Sequence, residues 1–131
     1  MKKTKWRVVV FVNQFFGQIG GEDMAHVSFC VRKEAVGPAS LFQSLLKEEC
    51  DVVGTIICGD NYFAENPEKA TEEGVELVKE LKPDLFIAGP AFNAGRYGIS
   101  CGNMVKAVGE ILQIPTVTGM YPENPAVDIF R

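Results

Sequence analysis

The sequence is poor in the residues that most often carry recognisable chemistry. It has one histidine, His26: no Ser–His–Asp set is apparent, no second histidine is present as a general base, and a histidine-rich metal site has little to draw on. His26 itself reads as a surface or hydrogen-bonded residue. The four cysteines, Cys30, Cys50, Cys58 and Cys101, form no C-x-x-C pair, which removes the usual zinc and thiol-exchange patterns. Their irregular spacing, in a chain of 131 residues that can bury a real core, points to reduced thiols. Basic residues do not dominate: 13 Lys and Arg stand against 17 Asp and Glu, and the net charge of -4 argues against a nucleic-acid surface. No apolar run approaches the ~20 residues that span a bilayer. A short basic run, Lys2, Lys3, Lys5 and Arg7, precedes a strand-like segment with no signal-peptide cleavage pattern. A cytoplasmic protein with no membrane and no nucleic-acid partner is expected.

What is present is alternation. Residues 5–12 are a near-continuous β-branched and aromatic run, the signature of a strand covered on both faces. Residues 24–35 read as an irregular excursion or an edge hairpin. Pro38 opens a helix on which Leu41, Phe42, Leu45 and Leu46 form one apolar face. Residues 50–58 give a second strand. Asn66 as cap and Pro67 at the first turn start a helix striped by Ala70, Gly74, Leu77, Val78 and Leu81, which Pro83 ends. Residues 84–88 form a third strand, residues 103–112 a helix with Val105, Val108 and Leu112 inward, and residues 115–119 a fourth strand. The expected fold is α/β: a single domain over residues 1–131, a three-layer sandwich around a central, mostly parallel four-stranded sheet, Rossmann- or flavodoxin-like, with right-handed crossovers. No helix is expected after the fourth strand, so part of one sheet face is left uncovered. The chain therefore reads as a piece of a longer protein, or as one completed by a partner in an oligomer.

The polar loops are lopsided. Residues 13–23, 59–66, 89–102 and 120–124 follow the four strands and must project from one edge, where ligands of parallel sheets gather. The loops of the other edge are short. The glycines of the first loop are spaced G-x-x-G-G, neither a dinucleotide fingerprint nor a Walker A. Phe15 and Phe16 either wall a pocket or cap the core. The loop at 89–102 is longer than an ordinary strand-to-helix connection of about 2–6 residues and carries Arg96, whose planar fork suits a carboxylate. Backbone N–H groups at residues 100–103, opening the next helix, favour an anion too. Asp60 and Glu123 could face an amine or a quaternary ammonium, with Tyr62, Phe63, Phe92, Tyr97 and Tyr121 close by for cation–π contact. Arg96 equally fits a structural ion pair, and Asp60-Asn61 equally fits turn chemistry. Cys101 precedes the predicted helix start, where a thiolate is stabilised, but no histidine is paired with it. Taken together, Asn13, Gly20, Gly21, Asp60, Asn61, Asn93, Arg96, Tyr97, Cys101 and Glu123 are candidate substrate-binding residues, with Gly20, Asp60, Arg96 and Glu123 expected in one concave neighbourhood. No catalytic residue and no metal ligand is assigned.

Four segments carry a family resemblance: 13–22 (NQFFGQIGGE), 57–63 (ICGDNYF), 88–98 (AGPAFNAGRYG) and 117–125 (VTGMYPENP). In this order they resemble the selenoprotein B family of glycine/sarcosine/betaine reductases, with a D-proline reductase-type subunit as a related possibility. The resemblance implies a substrate-binding component B of a complex that reductively cleaves a C–N bond in anaerobic (Stickland) amino-acid fermentation. It implies a pyruvoyl-bearing partner subunit, a second selenoprotein (protein A), a protein C that releases acetyl phosphate, and thioredoxin as electron source. Members of the family are much longer and carry selenocysteine far towards the C-terminus. This chain resembles only their N-terminal domain, so it is expected to be inactive alone, to hold no cofactor itself, and to give no cysteine the redox role. Two other readings stand beside this one: a scaffold domain whose loops dock the partner subunit, and a nucleotide- or flavin-binding α/β domain.

Overall fold

The computed structural model describes residues 5–130; Lys2 and Lys3 of the basic run lie outside the described residues. The strands are β1 (Trp6–Asn13), β2 (Cys30–Arg32), β3 (Cys50–Cys58), β4 (Leu85–Ala88) and β5 (Thr116–Thr118). The helices are α1 (Pro38–Leu45), α2 (Asp60–Glu65), α3 (Pro67–Leu81), α4 (Gly95–Leu112) and α5 (Pro125–Ile129). The sheet runs β2-β3-β1-β4-β5, with the apolar β1 at its centre. β1 pairs in parallel with β3 and β4, and β4 with β5.

The sheet has five strands, not the expected four. The extra one, β2, comes from the excursion and pairs antiparallel with β3 at the sheet edge. Three residues are too few for alternation to show in a sequence. The excursion is tied down by Thr55, whose hydroxyl donates to Glu34 O (2.7 Å) and accepts from Val36 N (3.2 Å).

The alternating side chains of β1 build two cores. Val8, Val10 and Val12 pack with Ala39, Phe42 and Leu46 of the α1 region. Val9 and Phe11 pack with Val75 and Val78 of α3 and with Tyr97, Met104 and Val108 of α4. The step from β1 to β3 thus passes over one face. The steps from β3 to β4 and from β4 to β5 pass over the other. Strand order reverses between β1 and β4, and the carboxyl ends of all four parallel strands share one edge.

Several local expectations are corrected. Leu41 and Leu45 are 65% and 72% exposed, so of the expected face of α1 only Phe42 and Leu46 pack inward, joined by Ala39. Asn66 does not cap α3 with its side chain; it donates to Tyr62 O (3.1 Å), satisfying a carbonyl at the end of α2. α4 starts at Gly95, not near residue 102, which shortens the preceding loop to residues 89–94. A short helix, α5, follows β5. The last two corrections share a cause. Gly98 and Gly102, one turn apart, lie where α4 meets the C-terminal segment. A Cβ on Gly98 would overlap the Asn124 amide, and one on Gly102 would overlap the Phe130 ring. Helix-weakening glycines are tolerated because packing needs their missing side chains.

Asn124 is the clasp of this corner. Its Oδ1 accepts from Ala126 N (3.0 Å), capping α5, and its Nδ2 donates to Phe92 O (3.2 Å) and Ala94 O (3.0 Å) of the loop before α4. Asn124→Ala is expected to cost about 1–2 kcal/mol. Asn124→Asp keeps the cap but turns a buried carboxylate oxygen onto the Phe92 and Ala94 carbonyls, so it should cost at least as much as Asn124→Ala. Denaturant unfolding of the three proteins checks the order.

Candidate functional site

At the carboxyl edge the apolar β1 ends on two amides, Asn13 and Gln14, both buried. Asn13 Nδ2 donates to Asp60 Oδ2 (3.0 Å), and its Oδ1 accepts from Phe16 N (2.9 Å). Gln14 Oε1 accepts from Asp60 N (3.0 Å), while its carbonyl takes Ile19 N (3.0 Å) and Gly20 N (3.3 Å). The first loop is thereby curled back beside the exit of β3. The segment after Gly21 runs against the start of α2: Gly59 N donates to Val27 O (2.9 Å) and Asn61 N to Ala25 O (2.7 Å). Gly59 permits this approach, since a Cβ there would overlap the Ala25 carbonyl.

Arg96, on the first turn of α4, closes the group. Its guanidinium donates to Asn61 Oδ1 and to Glu22 Oε1, the latter a salt bridge between half-exposed and exposed side chains. The Arg96 charge also acts on Asp60. Beneath it, Tyr97 is fully buried and stacks on Phe16, with ring centroids 5.7 Å apart. An aromatic row continues across the rim from Phe15 and Phe16 to Phe92 and Tyr121.

Asp60 Oδ1 is buried here with no hydrogen-bond partner among the described residues, while the buried Tyr97 hydroxyl lies against the Asn13 backbone. Buried polar atoms are almost always paired, so Asp60 Oδ1 is an acceptor open to a further donor. Burial pushes the Asp60 carboxyl above its ordinary value, against the pull of the Asn13 hydrogen bond, Arg96 and Gln14. Burial also raises the Tyr97 phenol well above its ordinary range.

Direct hydrogen bonds join Asn13 to Asp60 and Arg96 to Asn61, the two pairs meeting at the adjacent residues 60 and 61, and Gly20 and Gly21 lead straight into Glu22 at the same place. Tyr97 lies in the core below them. Cys101 does not precede a helix start but sits inside α4 in that same core, and burial raises its thiol. Asn93 and Glu123 are exposed on the loop after β4 and the turn after β5, and no hydrogen bond or ion pair among those described joins either to the Arg96 cluster. Of the aromatics, Phe63 is core and Tyr62 donates its hydroxyl to Glu73. Sequence reasoning passed over Gln14 and Glu22. The signal for Gln14 was two adjacent amides ending an apolar strand, and for Glu22 its place at the end of the glycine-rich loop. Among the described residues no group of three His, Cys, Asp or Glu side chains could hold a metal ion, and no helix is long and apolar enough to cross a membrane.

The Asp60 carboxyl gives a pH test with a fixed sign. Its unfolded value is near 3.8 and its folded value is higher, so over that window the folded chain holds a proton that the unfolded chain has lost. Stability contributed by this group is full below 3.8, falls as pH rises through the window and stays reduced above it. Asp60→Asn should therefore be more stable than the parent at neutral pH, by roughly 0.5–2 kcal/mol, the usual gain when a strained functional group is relieved. The advantage should vanish at pH values below 3.8. Thermal unfolding across pH measures both halves.

Residues 5–131 match the family model for glycine/sarcosine/betaine reductase selenoprotein B. The chain is 54% identical over 128 residues to the glycine reductase complex component B subunit gamma of Carboxydothermus hydrogenoformans, covering 98% of this chain and 29% of that protein. It is 52% identical over 131 residues to the sarcosine reductase complex component B subunit beta of Peptoclostridium acidaminophilum, covering 100% of this chain and 30% of the relative. The betaine reductase complex component B subunit beta of the same organism is 41% identical over 125 residues, with 95% of this chain and 28% of the relative covered. No solved structure matches. The chain spans less than a third of the length of these relatives. It belongs to the glycine/sarcosine/betaine reductase selenoprotein B family.

Proposed function

We propose that this member of the selenoprotein B family forms a substrate-binding edge of an amino-acid reductase subunit that takes part in reductive cleavage of the C–N bond of glycine, sarcosine or betaine. The observation that carries the reading is the unpaired, buried Asp60 carboxyl oxygen in one cluster with Arg96. An acid and a fixed cation on the first turns of the neighbouring helices α2 and α4 match the two ends of an amino acid. The substrate carboxylate takes the place of Glu22 on the Arg96 fork, and the amine turns towards Asp60 Oδ1. Betaine has no N–H to donate, and the exposed Phe92 ring with Phe16 beside it offers a trimethylammonium group cation–π contact instead. Asn13, Gln14 and Asn61 orient these groups and touch no bond that breaks. Strand order β3-β1-β4-β5 in the parallel part supports a doubly wound, flavodoxin-like reading, with the cluster at the carboxyl edge where such sheets bind ligands.

The family implies a selenocysteine and a pyruvoyl group. The residues described here do not fit the redox role: the four cysteines are free, and burial raises the Cys58 and Cys101 thiols, the opposite of an activated thiolate. Both groups belong, in this reading, to the rest of the subunit and to a pyruvoyl-bearing partner, with selenoprotein A receiving the carbon skeleton. The reaction runs in the cytoplasm, and this stretch alone is inactive. A D-proline reductase-type subunit would use the same acid and cation. A second reading has its own observation. Phe15, Phe92 and Tyr121 are 63%, 42% and 53% exposed, an aromatic row of the kind enriched at subunit interfaces, so the rim could serve to dock the partner subunit without binding substrate.

Arg96→Ala in the complete reductase complex separates the two. Loss of a charge-assisted hydrogen bond to a carboxylate costs about 1.5–3 kcal/mol, so kcat/KM is expected to fall about 10- to 100-fold. Stability should barely change, because the pair it breaks is at the surface. Unchanged kinetics with an intact complex would remove the clamp. Failure of the complex to assemble would favour the docking rim.

A further inference from the structure

The two faces of the sheet are covered unequally. Parallel strands lie about 4.8 Å apart and a helix with its side chains is about 10 Å wide, so one helix covers two strands. On one face the long helices α3 and α4 together cover β3, β1 and β4, and α4 also reaches β5. On the other face α1 stands alone above β1 and β3. The half of that face formed by β4 and β5 has no helix of its own.

What lies bare there is apolar. Ile87 and Val117 pair across β4 and β5 and point to the same side; Ile87 is half-buried and Val117 is 53% exposed. Beside them a cavity of about 180 Å³ is lined by Val10, Pro38, Phe42, Ile87, Pro90 and Gly119 among others, with no charged residue in its wall. On α1, Pro38, Leu41, Phe42 and Leu45 fall at i, i+3, i+4 and i+7, one continuous stripe. Pro38 and Phe42 look into the cavity, so the stripe turns towards β4. This explains why Leu41 and Leu45 are exposed although the sequence marks them as core. The result is a trough with a sheet floor and a helix flank, both without charge.

We propose that this trough seats an amphipathic α-helix supplied in cis, by the polypeptide that lies beyond this stretch in the longer relatives. Three observations choose that occupant. The trough has the width of one helix beside α1, and its flank offers the i, i+3, i+4, i+7 ridge that a neighbouring helix interlocks with. Its lining carries no charge to recognise a polar ligand. Relatives that match this chain almost end to end devote only 28–30% of their length to it, so ample chain remains to supply the cover.

The test reads the exposure of one added thiol at a time, with the parent protein's own cysteines as the background to subtract. Leu45→Cys and Val117→Cys are made in this chain, and cysteine is placed at the aligned positions of the full-length Carboxydothermus hydrogenoformans relative. Each is reacted with a bulky maleimide, with rates normalised to the same thiol in urea. Fast labelling in this chain and labelling slowed about tenfold or more at both positions of the longer protein alone is the expected result. Equal rates in the two proteins overturn the proposal. So does slow labelling in this chain by itself, with a dimeric mass in sedimentation, which would make a second copy the occupant. Protection of the longer protein only after its partner subunits are added overturns the cis assignment in favour of a partner chain.

Discussion

The carboxyl edge of this fold is organised by one acid held out of water. Asp60 is 6% exposed, and a buried carboxyl is costly unless its oxygens are met by donors. One oxygen is met, by Asn13; the other is not. The amides that end β1 therefore have a structural task that no apolar residue could perform there. In performing it they fix the path of the first loop, because Asn13 Oδ1 holds Phe16 N and the Gln14 carbonyl holds Ile19 and Gly20. That curl carries Glu22 to Arg96, and the following residues to the start of α2. Remove the acid and the reason for two amides at the end of an apolar strand disappears with it.

The parts of the fold that were legible in the sequence are those with long periodicity. β1 and β3 are runs of eight and nine residues, and α3 is bounded by prolines on both sides, so their limits were read to within a residue or two. The unreadable parts are those in which a tertiary contact overrides a local signal. β2 is three residues long and exists because β3 offers it an edge. The first turns of α4 look like loop because of their glycines, whose purpose is visible only once Asn124 and Phe130 are seen against them. Leu41 and Leu45 have the spacing of a buried face and lack anything among the described residues to bury it.

The site was legible in the same uneven way. Topology alone was enough to pick the edge, and residue chemistry enough to pick Asp60 and Arg96. A structural ion pair is one of the two readings of Arg96, and the structure shows one; its partner was not legible, because Glu22 is 74 residues away in sequence and its approach depends on the curl of the first loop. Nor could residue chemistry separate Tyr97 from Cys101: both lie in the glycine-interrupted stretch, and only the helix that forms there turns each into the core.

The cluster is built in two layers of very different strength. Its outer layer is the pair of Arg96 with Glu22, a surface ion pair of the sort that contributes about 0–1 kcal/mol. Its inner layer is the set of buried hydrogen bonds around Asp60, where leaving a single group unpaired costs about 1–3 kcal/mol. If an amino acid enters as proposed, its carboxylate merely replaces the Glu22 carboxylate on Arg96. At that end the gain is the difference between a charge-assisted bond to bound substrate and an exposed ion pair, and every candidate substrate, sharing the same carboxylate, collects it equally. Discrimination must then come from the inner layer, where an amine meets an oxygen that has no partner to give up. Such a site would be tuned to what is bonded to nitrogen more than to the carboxylate that all its candidate substrates share. That is the distinction a family whose members are named for glycine, sarcosine and betaine has to make, since these three differ only in the methyl groups on nitrogen.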